Sequence, residues 1–385
     1  MKLYAMLLLL LLPGGLASGG PFNEYPVTQG VPSQSPDLDE FGNLVWQQWF
    51  EDETTGEADW DIYRTNLAQT EADSLVVGWL GNQTSPAVYG SFVVFEDEYA
   101  EDDHDVYVID ISDTNAEPIA ISATEMDERA PAIHGNTVVF QRLYVDPDTL
   151  VSDWDVLGAD ITDPANQQLF WVAAFVADQG APAIYRSTVT YQDNYYGDWD
   201  IYSADAWMRN NPQEYPVSMS YMEQQESAVW GNRVVWDENF GDGNFDIMAA
   251  DMTDFRDPQV FAVTDHAGAQ MNPDIFEHIV VWQDNRHGNW DIYGYNLITG
   301  RQFQITNDAA DQMNPTIGGG YVAWVDMRTG TASIFAAQLA GAAVAECANP
   351  PAGDVNGDCR TDLLDLVEVT EGWLSCGLVP AEACD

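Results

Sequence analysis

The phrase Trp-Asp-Ile-Tyr recurs along most of this chain, at Trp60–Tyr63, Trp199–Tyr202 and Trp290–Tyr293. Looser copies are Asp105-Val106-Tyr107, Trp154-Asp155-Val156-Leu157, Phe245-Asp246-Ile247-Met248 and Ser333-Ile334-Phe335. The aligned second positions are 61, 105, 155, 200, 246, 291 and 333, so the steps are 44, 50, 45, 46, 45 and 42 residues. Self-similarity at this period is the signature of a repeat architecture built from one supersecondary unit. It also means that most residues encode scaffold, and that function has to be sought where the copies differ.

The sixth copy shows the unit most clearly. Pro273-Asp274-Ile275 begins one short strand, Ile279–Gln283 is a second, Trp290–Tyr295 a third and Phe303–Thr306 a fourth. Gly, Asn and Asp punctuate these β-branched and aromatic runs, as expected of hairpins. The runs are nearly continuous rather than alternating, which suits sheets covered on both faces. Four-stranded blades packed around an axis supply that environment, so the fold class is all-β, a β-propeller. The leading strands, marked by Pro36, Pro86, Pro131, Pro182, Ser227, Pro273 and Pro315, number seven. The seventh unit has three strands only, because the chain after Leu339 turns Ala/Gly-rich. Its missing fourth strand lies at the other end: Tyr25-Pro26-Val27-Thr28 matches Tyr215–Ser218 and Phe303–Thr306. Residues 24–28 are therefore expected to complete blade seven and close the ring.

The run Pro-x-Ile, Val-Val-Trp-x-Asp, Gly turn, Asp-Ile-Tyr resembles the PD40 or TolB-like (WD40-like) propeller repeat, over about residues 24–340. The resemblance implies a propeller. Functionally it implies a binding scaffold, a cell-surface module or, less often, an enzyme. TolB itself has six blades and an added N-terminal domain, so its role is not carried over.

The copies differ most in the turns between second and third strands, which emerge on the same side as the fourth-to-first connections. Loops on a rigid scaffold are where binding usually resides. The candidate ligand face comprises Trp49, Tyr99, Asp193, Tyr195, Tyr196, Asp237 and Asp284. The aromatics are suited to stacking on sugar rings, with a polysaccharide or a surface protein as ligand. Asp193, Asp237 and Asp284 read as hairpin-turn caps for backbone N–H groups, with calcium ligation as the alternative. The Asp of each Trp-Asp-Ile-Tyr reads as a buried acceptor. Catalytic motifs are thin: His104, His134, His266, His278 and His287 lack metal-type spacing, and neither Gly-x-Ser-x-Gly nor a phosphate-binding loop occurs. With 63 Asp and Glu, carboxylate pairs exist by number alone. A carbohydrate-active hydrolase or lyase therefore stands as the alternative reading, since some seven-bladed lyases of uronic-acid oligosaccharides use propellers of this kind. A structural cell-envelope protein is a third.

The chain ends carry different information. Residues 1–19 read as a signal peptide, with Lys2 before the apolar Met6–Leu12 and small residues at Gly15–Ser18, which predicts a secreted or cell-surface protein. No later segment reads as a membrane span. The formal charge of −51, with Lys2 the sole lysine, excludes nucleic acid and anionic membrane surfaces as partners. Residues 341–353 read as a linker and 354–385 as a small module, and all four cysteines fall in this last stretch: Cys347 in the linker, then Cys359, Cys376 and Cys384 in the module. In Asp354–Asp365, oxygen side chains fall at loop positions 1, 3, 5, 9 and 12 (Asp354, Asn356, Asp358, Asp362, Asp365), and Arg360 at position 7 offers its carbonyl. This is a spacing for Ca²⁺. Leu363–Leu374 reads as the helix leaving that loop. Position 6 is Cys359 rather than Gly, and position 12 is Asp rather than Glu. A loop of this kind resembles a single dockerin repeat, which implies calcium as cofactor and a cohesin-like or other cell-surface partner. Two disulfides fit so small a module, with three pairings open.

Overall fold

The computed structural model describes residues 22–339 except 52–54, 70–71, 101–102, 148–149, 210–212 and 242, and leaves the side chains of 99 and 100 undescribed. The segments expected to form the signal peptide, the linker and the calcium loop, and all four cysteines, lie outside the described residues.

Seven antiparallel four-stranded sheets form seven blades. Their first strands are Ser33–Leu38, Asn82–Tyr89, Glu128–His134, Gln179–Tyr185, Glu223–Trp230, Gln270–Phe276 and Gln312–Gly318. In blades 1 to 6 the four strands follow one another in sequence. Blade 7 takes Gln312–Gly318, Tyr321–Asp326 and Ser333–Gln338 from the end of the described chain and Glu24–Pro26 from its beginning. The register is Glu24 to Ala337, Tyr25 to Ala336 and Pro26 to Phe335, so the ring closes as the sequence predicts.

The second strands carry the core. Trp46, Phe95, Phe140, Tyr191, Trp236, Trp282 and Trp324, one per blade, are fully buried. Clusters of Val, Ile and Ala from adjacent blades surround them, for example Val281, Ile292 and Ile305 of blade 6 with Ile317, Val322 and Trp324 of blade 7. Burial on both sides of each sheet accounts for the continuous apolar runs.

The first strands begin three or four residues before the residue that marks them, a proline in six blades and Ser227 in blade 5, and each is bulged there. The residue at the bulge, Ser35, Ser85, Ala130, Ala181, Glu226, Asn272 or Asn314, is left-handed, with φ between 46° and 53°. Such a backbone is strained for a side-chain-bearing residue and persists only where surroundings over-determine it. Here the bulge turns a backbone N–H toward the preceding blade. Gln47, Glu96, Gln141, Asp237 and Gln283 accept it, at 3.0, 2.7, 2.9, 3.0 and 2.9 Å from Ser85, Ala130, Ala181, Asn272 and Asn314 respectively. Around the axis the bulges leave a polar cavity of about 190 Å³, lined in part by Ser35, Glu226, Asn272 and Asn314. On the far side, where first and second strands join, Tyr89, His134, Tyr185, Trp230 and Phe276 form a continuous belt with ring centroids 4.4–4.8 Å apart. Among the described residues no helix is long and apolar enough to cross a membrane.

Candidate functional site

One position separates the blades into two groups. The fourth residue after the buried core aromatic of strand 2 stands near the loop-side end of that strand in blades 1 to 3 and in the turn that follows it in blades 4 to 7. In blades 1 to 5 it is aromatic: Phe50, Tyr99, Tyr144, Tyr195 and Phe240. In blades 6 and 7 it is Arg286 and Arg328. Tyr144 and Phe240 are exposed, and Tyr195 is 58% exposed. Tyr195 meets Tyr196, itself 65% exposed, edge-on at 5.0 Å.

The fourth-to-first connections extend this arc. Asn194 of the blade 4 turn donates to Asp178 through its backbone (3.1 Å) and its amide (3.2 Å), which sets the 174–178 connection, with exposed Phe175 and Val176, beside Tyr195. Ser220 donates to Glu238 at 2.8 Å, and the Gln224 N–H donates to the Trp199 carbonyl at 2.9 Å. These bonds hold the next connection between the turns of blades 4 and 5, with Tyr221 99% exposed on it. Exposed apolar side chains gathered on one face are a feature that interaction surfaces share.

The two arginines turn inward instead. Asp284 accepts from Trp282 Nε1 (3.0 Å), Arg286 N (3.0 Å), Arg286 Nε (2.8 Å) and the Arg286 terminal nitrogen. Asp326 does the same for Trp324 and Arg328, and Arg328 reaches Glu24 as well. Each guanidinium also lies over an aromatic ring, Tyr293 at 4.4 Å and Phe335 at 4.6 Å. The arginine thus folds back onto its own blade, and the aromatic arc stops at blade 5.

The remaining expected site residues fall as follows. Trp49 is half-buried, edge-on to Trp60 at 5.4 Å. Tyr99 holds the arc position of blade 2, and its side chain lies outside the described residues. Asp193 is buried, accepts from Tyr195 N at 2.8 Å, and so caps its turn; it also accepts from Gln179 at 2.9 Å. Asp284 caps the blade 6 turn. The turn-cap expectation fails for Asp237. It lies mid-strand in Arg233–Asn239, fully buried, holding Asn272 N of blade 6. The residue of blade 5 equivalent to Asp284 is Glu238, one place on, which accepts from Trp236 Nε1 at 3.3 Å. A one-residue offset in a strand moves a side chain to the other face.

The Asp of the repeated phrase is buried in every blade where the pattern is strict: Asp61, Asp200 and Asp291. Asp200 accepts from Ser220 N at 3.2 Å, and Asp291 accepts from the Gln304 amide at 3.3 Å. Burial pushes the carboxyls of Asp155, Asp237 and Glu128 up to about 7, and those of Asp200 and Asp291 to about 6. Perturbed carboxyls can flag catalysis, but Asp237, Glu128, Asp200 and Asp291 serve as acceptors within and between blades. Among the described residues no three His, Cys, Asp or Glu converge to hold a metal ion.

The sequence matches no family model and no curated protein. Solved structures do match in fold. The β-propeller domain of the Trilobed protease from Pyrococcus furiosus aligns at 11% identity and TM-score 0.59, over 86% of this chain and 99% of that one. That domain has an open velcro topology, whereas here Glu24–Pro26 closes blade 7. Oligogalacturonate lyase from Vibrio parahaemolyticus aligns at 12% identity and TM-score 0.59, over 85% and 96%. An acylaminoacyl peptidase of Pyrococcus horikoshii aligns at 11% identity and TM-score 0.58, over 82% of this chain and 53% of that one. At these identities the likeness is one of fold: an all-β propeller, here of seven four-stranded blades.

Proposed function

We propose that this protein is an exported binding scaffold that holds a polysaccharide on the aromatic arc of its loop face, and that its C-terminal calcium loop tethers it to a cohesin-like or other surface partner. The observation that carries the binding reading is the switch at one loop-side position, aromatic in blades 1 to 5 and inward-folded arginine in blades 6 and 7. Core packing does not require exposed aromatics there, since Arg286 and Arg328 occupy the same place in blades with equally buried cores. Aromatic rings stack on the C–H faces of sugars while neighbouring carboxylates and amides take the hydroxyls, a division of labour common in ligand sites. The tethering reading rests on the spacing of Asp354, Asn356, Asp358, Asp362 and Asp365.

Electrophoresis of the mature protein through gels loaded with single polysaccharides tests the first part. Retardation with the polymer recovered at full length is expected. Recovery of shortened chains would replace the scaffold with a hydrolase or lyase. For the tether, Asp354→Ala with Asp358→Ala should remove the Ca²⁺ response of the C-terminal segment, read as helix content of the full chain with and without chelator. An identical response in the double variant would sink the calcium assignment.

A further inference from the structure

The ten described arginines divide by face. Arg64, Arg186, Arg209, Arg233, Arg256 and Arg301 belong to strand ends and turns on the side opposite the arc. Four belong to the loop side, and each is engaged within the protein. Arg286 and Arg328 are 13% and 11% exposed and clamped to Asp284 and Asp326. Arg129 pairs with Asp127 at 3.1 Å. Arg142 lies over the Trp171 ring at 5.1 Å, across the strand pair from Asp155. With the sole lysine at position 2, no other cationic side chain among the described residues stands on the arc's side apart from histidine. Carboxylates frame the arc instead, among them Asp146, Asp153, Asp198 and Glu223.

From this arrangement we infer that the polysaccharide held by the arc is an uncharged one, and that polyuronates and other acidic polymers are rejected. The inference rests on the binding reading above and names the ligand class of that same site. An acidic chain would bring a carboxylate per sugar to a surface on which no arginine or lysine among the described residues stands unpaired and which repels it, and unpaired like charge is an effective basis for discrimination. An uncharged chain meets no such barrier: its C–H faces cover Tyr195, Tyr196, Tyr221 and Phe240, and its hydroxyls donate to the framing carboxylates. The same charge distribution separates this propeller from a uronate-cleaving one, whose substrate carboxylates need neutralising.

The test is retardation of the full mature protein in gels containing a neutral β-glucan, a galactomannan, polygalacturonate or cationic DEAE-dextran, at pH 8 so that imidazole charge does not enter, in 50 and 500 mM NaCl. Retardation by a neutral polymer is expected, with apparent affinity changing less than about twofold between the two salt levels, because uncharged ligands are not screened. Tyr195→Ala with Tyr196→Ala should weaken it about tenfold, in keeping with the loss of two stacking contacts. Retardation by polygalacturonate that the double variant abolishes would overturn the uncharged class and leave the binding reading standing. So would retardation by DEAE-dextran alone that vanishes at 500 mM salt, which would assign the face to a cationic polymer. Unaltered mobility in all four gels would overturn both readings. The double variant's unfolding midpoint, expected within about 2 °C of the parent because exposed substitutions change stability little, separates lost binding from lost folding.

Discussion

The backbone N–H of Ile334 donates to the hydroxyl of Thr28 at 2.9 Å, across 306 positions of sequence. Val27 N and Thr28 N return the contact to the Ile334 carbonyl at 2.8 and 3.0 Å. The same pattern joins Thr264 to Ile247 in blade 5 and Thr306 to Ile292 in blade 6. The N-terminal segment therefore occupies blade 7 as an ordinary fourth strand occupies its own blade. Thr28→Val keeps the shape and removes the acceptor, leaving a buried N–H unpaired. The expected loss is about 1–3 kcal/mol, or roughly 2–4 °C in Tm per kcal/mol for a domain of this size. An unchanged calorimetric midpoint would show that the closure does not depend on this bond.

Gln141 reaches from blade 3 to Ala181 N at 2.9 Å, and a Cβ at Gly180 would come within 2.6 Å of its Oε1. Gln141→Ala should destabilise by about 1–3 kcal/mol by stranding that N–H. Gln141→Glu should be milder, since Glu96 makes the equivalent bond at 2.7 Å in blade 2. Chemical denaturation that ranks the two variants the other way would mean that packing, not the acceptor, holds this junction.

Gly318 ends the first strand of blade 7 where blades 2 to 6 place Tyr89, His134, Tyr185, Trp230 and Phe276. A Cβ there would lie 2.3 Å from the Asp39 carbonyl oxygen and 2.6 Å from that of Leu38. Both are backbone atoms and cannot step aside as a side-chain tip can. Gly318→Ala is expected to lower stability by about 1–3 kcal/mol or more through overpacking. Soluble variant protein with a parental Tm would show that blades 7 and 1 can separate at no cost.

Acid should stabilise this protein. Burial raises Asp37, Asp155, Asp237, Glu128 and Glu214 to about 7 and Asp200, Asp274 and Asp291 to about 6. A carboxyl raised in the folded state contributes stability that is complete below its unfolded value, near 4, and is lost as pH climbs through the folded one. His134 opposes this: burial lowers it to about 4, so its contribution falls as pH drops below its unfolded value of roughly 6.5. Burial raises Asp73 to about 6 as well, so one imidazole stands against nine carboxyls, and the midpoint of unfolding should rise between pH 8 and pH 5. A midpoint that falls over that interval would refute the burial of these groups.

The repeat, the number of blades and the closing strand were legible in the sequence, because each depends on periodicity and on strand-forming residues within one unit. Tyr25–Thr28 was recognisable as a fourth strand by its likeness to Phe303–Thr306, without knowing where it would lie. The turn-cap role of Asp193 was also local. The reading of Asp237 went astray because Trp-Asp-Glu and Trp-Gln-Asp differ by one place, and a strand's side chains alternate between faces. Nothing in the run Phe140-Gln141-Arg142 says that Gln141 holds a residue forty positions later in the next blade.

The aromatic arc could have been found by aligning the fourth residue after each core aromatic. Tyr195 and Arg286 look equally available to a ligand in such an alignment. Whether this residue projects or folds back depends on its partners, and not all of them are local: Tyr293 across the hairpin joins neighbouring Asp284 on Arg286, and Phe335 and the distant Glu24 hold Arg328. The sequence by itself determined the unit and how often it repeats, since those follow from short-range pattern. Only the tertiary structure decided which carboxylates are buried acceptors and which side chains remain exposed on the loop face, because burial and charge pairing are properties of neighbours distant in sequence.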